Sequence, residues 1–529
     1  MIRVVHSLAR RVAVVLLAIM AFGRPAAAEN EIQLLTEYFD LLVSGNYESA
    51  SYLWLETCQD RSAKFGISYD DIPLKIDCAS PIVRDLKVMK NHLQPPVKKV
   101  RHLSDDGYSV LEFSTVVYGN LVSHDYYAYN DSNHCWLIYP QDYYCRDWPV
   151  YETRYFRLNV HPDIVEQLND IALAQADQFV EETARVLEIT DDDLELLRQK
   201  KIDYFFCDSD YRVKNITGFL VKGTYDLPSD DVISAFFPHY HELSHLLVNF
   251  RLRKLPLYTM PILREGIAVH LGGRWGKAPA SLEALGGYLY REKIVEIDSM
   301  LTMTGFEQQV GSGIAYPVAG LFTGYLVEVL GVNGFFRLYM DLSGKFDALT
   351  AMARADTKKA ILKAVGESDW EKFLSDFNRY VNTRLDEQAD IQPGRLDKGK
   401  VVLEIDDVRI TEEGDWLSVE FSSGDSTAPA GNILFAKESA LAATRSSLFE
   451  GQYPGETPYE GYRYGIRMDK NEAGVYDYAT NTLMAKYIWG ISPSEEYFDA
   501  QKNRIAIKVK KTLLNPYLPS ADDCRVMPD

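Results

Sequence analysis

The hydrophobic and polar positions of this chain change their pattern twice, which divides it into three regions. Residues 31–54 repeat apolar positions at three- and four-residue spacing up to Gly45-Asn46, as amphipathic helices do. Residues 108–156 alternate polar and apolar positions and are rich in tyrosine, which is typical of antiparallel strands. Together these patterns predict a small α+β domain over residues 29–154.

The middle region begins with strand-like segments and continues with helical ones. Three runs between residues 155 and 225 are rich in β-branched and aromatic residues and predict strands. From Val232 onward the apolar spacing is mostly helical, and Pro261 suits the first turn of one of these helices. Strands followed by helices predict a second α+β domain over residues 155–392.

Beyond residue 392 the pattern becomes short and alternating. Segments such as VVLEIDDVRI and WLSVEFSS are separated by turn residues, which predicts an all-β domain over residues 393–529, similar to a β-sandwich. The predicted fold class is therefore multidomain α+β. Its N-terminal part resembles the helix-plus-curved-sheet accessory domains of the NTF2 type.

The first 28 residues have the features of a secretory signal peptide. Three arginines precede an apolar run from Val12 to Gly23, and Ala26-Ala27-Ala28 fits a cleavage site. The apolar run is too short to span a bilayer comfortably. We expect residues 1–28 to be removed and the protein to be periplasmic or extracellular, without stable membrane insertion; an uncleaved anchor is the alternative.

Net charge narrows the range of partners. The formal charge is −20, and loss of the four arginines in residues 1–28 changes it to −24, because that segment contains no acidic residue. So negative a surface disfavours nucleic acids and anionic lipids as partners.

The six cysteines are compatible with disulfide bonds in an exported protein. Fifteen connectivities exist for six cysteines, and closeness in sequence favours Cys58–Cys78 and Cys135–Cys145. Cys207 and Cys524 would pair only if the C-terminus returns to the middle region. The spacing of the six cysteines is not that of a zinc ribbon.

A short segment of the middle region carries the strongest chemical signal. His241, Glu242 and His245 form the pattern H-E-x-x-H. On a helix, positions i and i+4 lie on one face, so the two imidazoles can bind one Zn²⁺ while the glutamate reaches the side where a water molecule would sit.

Further along, Glu265-Gly266-Ile267-Ala268 follows on the next predicted helix. These residues together resemble the gluzincin metallopeptidases of the peptidase MA-like superfamily, in which the third zinc ligand is a glutamate in a motif written E-G-x-A. The resemblance covers roughly residues 155–390. It implies one zinc ion per chain, held by His241, His245 and Glu265.

The resemblance also implies a mechanism. Zinc activates a water molecule, Glu242 acts as general base, and a donor such as Tyr316 stabilises the oxyanion. Two features depart from known branches. Val269 stands where the thermolysin type has an aspartate, and the aminopeptidase motif Gly-Ala-Met-Glu-Asn is absent. The choice between exopeptidase and endopeptidase therefore stays open.

Two further histidines lie near the motif. His239 precedes it by two residues, and His270 lies about one turn beyond Glu265. Both are expected to be packing or supporting residues rather than ligands.

The predicted function is that of an exported zinc metallopeptidase, a hydrolase of peptide bonds. Its expected partner is a peptide or protein substrate, and the flanking domains are candidates to bind that substrate or another protein. Two alternatives remain. One is an inactive peptidase-like scaffold that binds a partner, and the other is a zinc hydrolase that acts on a non-peptide bond.

Overall fold

The computed structural model is mixed α+β, as the hydrophobic pattern predicts. It describes residues 25–528, apart from several short segments. These are residues 85–96, 104–105, 118–119, 132–133, 388–390, 395, 397, 406, 423–430, 438–461, 469–471, 481, 489–497, 500–503 and 515–524. Most of the predicted signal peptide lies outside this part of the chain, whereas Ala26-Ala27-Ala28 lies in the first turn of a helix.

The chain forms two compact units. The first contains residues 1–148, 211–220 and 226–231, and the second contains residues 149–210, 221–225 and 232–529. Apart from residues 211–220 and 226–231, the region predicted to be a metallopeptidase domain lies in the second unit together with the predicted all-β region.

The first unit contains a four-stranded antiparallel sheet in the order β2-β3-β4-β5. The first helix, α1, packs against all four strands. The elements are α1 (Pro25–Ser44), α2 (Tyr47–Ser51), α3 (Glu56–Ala63), β1 (Ser68–Tyr69), a 3-10 turn (Lys75–Asp77), α4 (Pro81–Arg84), β2 (Val97–His102), β3 (Tyr108–Val117), β4 (Asn120–Asn130), β5 (Cys135–Ile138) and α5 (Pro140–Tyr144).

A buried carboxyl group joins the helices of this unit to its sheet. The hydroxyls of Tyr38 and Tyr126 both donate to Asp77 Oδ2, at 2.9 and 2.8 Å. Burial raises the pKa of Asp77 to about 7, although both hydrogen bonds act in the opposite direction.

The cysteines of the first unit do not form the two predicted disulfides. Cys58, Cys78, Cys135 and Cys145 are not joined by disulfide bonds. The Cys58 thiol lies against another group, because it donates to Asp142 Oδ2 at 3.1 Å, which places it beside α5. Cys207 does not form a disulfide bond either, and Cys524 lies outside the described residues.

The second unit begins with a five-stranded sheet in the order β6-β7-β8-β10-β9, in which β9 is an edge strand. Strand β8 pairs in parallel with both β7 and β10. The elements are β6 (Val150–Glu152), β7 (Phe156–Val160), a 3-10 helix (Pro162–Gln167), α6 (Asp170–Val186), α7 (Asp191–Lys200), β8 (Ile202–Phe206), β9 (Gly223–Asp226) and β10 (Asp231–Ser234). Helix α8 (Asp210–Thr217) follows β8 in the chain but belongs, apart from Asp210, to the first unit.

Helices then dominate the chain up to residue 387. They are α9 (Tyr240–Leu252), α10 (Pro261–Gly272), α11 (Pro279–Arg291), α12 (Ser312–Asp341, kinked at Gly331), α13 (Phe346–Ala351), α14 (Arg354–Val365) and α15 (Trp370–Glu387). Between them lie β11 (Lys254–Leu255), β12 (Tyr258–Thr259), β13 (Ser343–Gly344), a 3-10 turn (Ile297–Met300) and a π turn (Gly305–Val310).

Small residues let α10 and α12 approach closely. A Cβ atom on Gly266 would lie 2.1 Å from Thr323 Oγ1 and 2.6 Å from the carbonyl oxygen of Ala319. Across the same contact, Gly320 faces Val269. The glycine of the E-G-x-A segment thus brings α12 against the helix that carries Glu265.

Helix α12 is also long and apolar enough to cross a membrane, but 61% of its most apolar 18-residue window is buried inside the fold. In this structure it is the central helix of the second unit, packed on α10 and α11.

Two antiparallel sheets complete the chain. One has the order β14-β23-β17-β16-β15 with β22 beside β23, and the other has the order β21-β20-β19-β18-β24. The strands are β14 (Ile391–Pro393), β15 (Lys400–Ile405), β16 (Val408–Glu413), β17 (Trp416–Ser422), β18 (Gly431–Lys437), β19 (Tyr462–Met468), β20 (Glu472–Asp477), β21 (Thr482–Ile488), β22 (Phe498–Asp499), β23 (Arg504–Lys510) and β24 (Arg525–Pro528), with a 3-10 turn at Lys511–Leu514.

Both sheets contribute to one hydrophobic core. Ile410, Val419 and Ile507 from the first sheet join Ile433 and Ile466 from the second, and all five are fully buried. Their inward positions alternate with polar ones, which is the pattern that predicted this all-β region.

Main-chain hydrogen bonds join the second of these sheets to the N-terminus of α11. Leu483 donates its N–H to the carbonyl of Gly276, and its own carbonyl accepts from the N–H of Ala278, both at 2.7 Å. The same carbonyl accepts from Ser281 Oγ at 2.8 Å. These contacts hold the first residues of β21 against the N-terminus of α11.

Candidate metal centre

Helix α9 presents the H-E-x-x-H residues as the sequence predicts. The helix begins at Tyr240, one residue before His241, and His245 lies one turn further along. Its opposite face is apolar and fully buried, through Leu243, Leu246 and Leu247. Packing of that face fixes the helix in the core and directs the two imidazoles away from it.

Helix α10 brings the third candidate ligand to the same place. Glu265 Oε2 lies 3.3 Å from His241 Nε2 and 3.4 Å from His245 Nε2. The candidate ligand atoms of these three residues all lie within 4.8 Å of one another. Atoms bound at about 2.0–2.1 Å to a tetrahedral zinc ion lie about 3.3 Å apart, so the separations from Glu265 fit zinc.

The tautomer of His241 is set by a backbone carbonyl. His241 Nδ1 lies 2.8 Å from the carbonyl oxygen of Gly273, which only accepts hydrogen bonds. The proton therefore resides on Nδ1, and Nε2 keeps its lone pair for a cation. Gly273 has φ +69°, and a Cβ atom there would lie 1.9 Å from the carbonyl oxygen of Lys277. This turn needs glycine.

Two arginines surround the carboxylate of Glu265. Arg264 Nε donates to Oε1 at 2.9 Å, and an Nη1 proton of Arg274 is directed at Oε2 from 3.3 Å. The same Arg274 nitrogen lies 2.9 Å from His241 Nε2. The lone pairs of two candidate ligands thus face a guanidinium cation, as they would face a metal ion.

Burial and charge oppose each other in the pKa values of the centre. Burial raises the pKa of Glu265, but Arg264 and His245 lower it well below its ordinary value. Burial also lowers the pKa of His241, which favours the neutral imidazole that metals bind.

Glu242 is oriented by the edge of the five-stranded sheet. Its Oε2 accepts a hydrogen bond of 2.9 Å from the N–H of Tyr225 on β9. Burial raises the pKa of Glu242, but the charges around it, His241 first among them, bring it below its ordinary value. The carboxyl group is therefore ionised at neutral pH and able to accept a proton.

Tyr316 also lies beside the centre. Its ring centroid is 6.1 Å from that of His241, and the guanidinium carbon of Arg274 lies 3.4 Å from the centroid of the tyrosine ring. Trp275 packs on the same ring at 5.7 Å. Burial raises the pKa of Tyr316, so its hydroxyl keeps its proton and can donate it in a hydrogen bond.

The two extra histidines face other partners. His239 Nδ1 lies 2.8 Å from Ser234 Oγ, and burial lowers its pKa to about 4. His270 Nδ1 lies 3.4 Å from Glu283 Oε1 on α11. Neither belongs to the cluster of His241, His245 and Glu265.

An open cavity adjoins the centre, with about 340 Å³ of space when the solvent at its mouth is included. Its lining includes His241, Arg274 and Lys277, together with the threonines at positions 480 and 482 of the all-β region. The cavity is therefore bounded by segments that are more than 200 positions apart in the sequence.

Sequence reasoning did not identify Arg274 or the two threonines. The Gly272-Gly273 pair at the end of α10 was a usable signal for the position of Arg274. It marks a sharp turn, which directs the next residue back over the end of the helix. Thr480 and Thr482 carry no local signal.

Comparison with known proteins assigns no family to the chain, because neither a family model nor a curated protein matches it.

Proposed function

We propose that this chain is an exported zinc-dependent metallopeptidase with a gluzincin-type domain over residues 155–392. The accompanying regions would be an NTF2-like domain before it and a β-sandwich-like domain after it. The observation that carries the proposal is the position of Glu265 Oε2, at 3.3 and 3.4 Å from the Nε2 atoms of His241 and His245. Three ligands with those separations suit a catalytic zinc site that keeps one position open.

His241, His245 and Glu265 would hold the metal ion. Zinc in such a site lowers the pKa of water and polarises a carbonyl group. The carbonyl of Gly273 orients the His241 ring, and Arg264 fixes the Glu265 carboxylate. These contacts hold the ligand atoms before the metal ion arrives, which lowers the cost of assembling the site.

Glu242 would move the proton. The Tyr225 N–H holds its Oε2, which leaves Oε1 to take a proton from water and later give it to the leaving amine. Tyr316 would donate its hydroxyl proton in a hydrogen bond to the developing oxyanion.

The test separates catalysis from binding through Glu242→Gln. The amide can still accept the Tyr225 N–H but cannot accept a proton from water. We expect the variant to fold, to keep its zinc and to cleave peptides about 10²–10⁴-fold more slowly. The measurement is the rate of cleavage of a mixed peptide library, together with zinc content and melting temperature.

Glu371→Gln on the exposed face of α15 makes the same chemical change away from the centre and should leave the rate unaltered. The proposal fails if zinc-loaded wild type and Glu242→Gln are equally inert toward peptides. Equal binding of one partner by both would then favour the scaffold alternative. Glu242-dependent cleavage of an ester or sugar amide, but not of peptides, would favour the non-peptide hydrolase.

A further inference from the structure

Among the described residues, the side chain of Arg274 has two acceptors, and both are candidate metal ligands. Its Nη1 lies 2.9 Å from His241 Nε2 and 3.3 Å from Glu265 Oε2. Its Nε is buried and has no hydrogen-bond partner among the described residues. A metal ion bound to His241 and Glu265 would use the lone pairs that Arg274 now faces, and the guanidinium would lose both acceptors.

The aromatic rings beneath Arg274 would keep it near the centre after that exchange. The guanidinium carbon lies 3.4 Å from the centroid of Tyr316 and 5.1 Å from that of Trp275. Stacking on two rings holds a guanidinium without using its N–H groups, which stay available for a planar acceptor such as a carboxylate.

The charges of the centre also favour an anionic ligand. Glu242 and Glu265 carry two negative charges, and Arg264 and Arg274 carry two positive ones, so these four side chains are balanced without a metal ion. A zinc ion adds two positive charges in a partly buried place. An anionic group is the ligand that would restore the balance.

The cavity beside Arg274 offers space for that anion. Lys277 adds a second basic residue to its lining, and Thr480 and Thr482 add hydroxyl groups. None of the described residues that line the cavity is acidic.

We propose that this cavity binds a carboxylate group of the peptide substrate, with Arg274 as its principal partner. The inference rests on the proposed function and adds the substrate class: peptides with a carboxylate next to the cleaved bond. That group is either an acidic side chain or the C-terminal carboxylate, since both present the same two oxygens to a guanidinium.

The experiment uses the full-length, zinc-loaded Glu242→Gln protein, which would retain substrate without cleaving it. A randomised decapeptide library is made in three forms. The first has no acidic residue and an amidated C-terminus, the second includes aspartate and glutamate with an amidated C-terminus, and the third has no acidic residue but a free C-terminus. Peptides retained by the immobilised protein are identified by mass spectrometry.

We expect the neutral form to be retained poorly and one of the acid-containing forms to be enriched. Enrichment of the second form would indicate a side-chain carboxylate, and enrichment of the third would indicate the C-terminal carboxylate. The best peptide should bind about ten- to a hundredfold more tightly than its neutral amide, the usual range for a hydrogen bond to a charged group. That difference should disappear in Arg274→Met and persist in Arg379→Met, which alters an exposed arginine on α15.

Equal retention of all three library forms would overturn the inference while leaving the peptidase proposal intact. Because the three forms are compared on a protein that keeps Arg274, this result does not depend on how Arg274→Met folds. Absence of zinc from the wild type, with no peptide retained in any form, would overturn both proposals.

Discussion

Among the described residues of the second unit, two places bring together side chains able to bind a metal ion, and they differ in the exposure of their carboxylates and in the hydrogen bonds of their histidines. One is the centre of His241, His245 and Glu265, and the other is a group of His161, Asp163 and Asp208. In the first, the Glu265 side chain is 10% exposed, whereas the Asp163 side chain in the second is 82% exposed. An exposed carboxylate stays hydrated and must lose side-chain freedom before it can hold an ion.

His241 of the first group and His161 of the second have opposite tautomers. His241 donates its Nδ1 proton to the carbonyl of Gly273, which leaves Nε2 for a metal ion. His161 Nδ1 instead accepts a hydrogen bond of 3.3 Å from the N–H of Asp163, so its lone pair is already used. The comparison indicates that the groups hydrogen-bonded to candidate ligands determine their suitability for a metal ion as much as the ligands themselves do.

The largest effect should follow from removing one ligand of the buried centre. In His245→Ala, the imidazole that faces Glu265 is lost and no nearby side chain of the cluster replaces it. We expect zinc affinity to fall by more than about 100-fold, beyond the usual loss for a supporting residue. Competition with a chromogenic chelator measures it, and full retention of zinc would place the metal elsewhere.

A smaller loss is expected when only the charge of the buried carboxylate is removed. Glu265→Gln keeps the side-chain size and one oxygen but leaves Arg264 and Arg274 without their anion. Zinc affinity should fall by about tenfold or more. The same competition assay applies, with the melting temperature in excess zinc as a second measurement. Unchanged affinity would mean that Glu265 is not the third ligand.

The smallest effect on zinc affinity is expected from a change in the group of His161, Asp163 and Asp208. His161→Ala should leave both the zinc content and the zinc affinity unchanged, because Nδ1 of His161 is already occupied by the N–H of Asp163. It serves as the matched histidine-to-alanine control for His245→Ala. Loss of zinc from this variant would reverse the comparison and make the group of His161, Asp163 and Asp208 the metal site.

Much of the centre could be predicted because its candidate ligands lie on helices, and the positions of these helices are indicated by nearby residues in the sequence. The spacing of His241 and His245 requires one helical face, and Pro261 marks the start of the helix that carries Glu265. Both helices occur where the sequence predicted them.

Features that depend on distant segments could not be predicted. The run at residues 216–225 was predicted to be one strand, but its first residues end helix α8 and only Gly223 onward is strand. Its β-branched residues fit either element, so periodicity alone did not decide. Arg274 acquires its role only because α9 and α12 bring His241 and Tyr316 to it. Thr480 and Thr482 line the cavity although they lie more than 200 positions further along the chain.

The attachment of β21 has a consequence for how the cavity can change in evolution. Leu483 is joined to Gly276 and Ala278 through main-chain atoms, which are present whatever residues other than proline occupy those positions. Replacement of neighbouring residues would therefore leave the start of β21 in place while the chemistry of the cavity wall changes at positions 480 and 482. Under the proposed function, related chains with the same candidate zinc ligands are expected to differ most at these two positions, and so in the substrates that they accept.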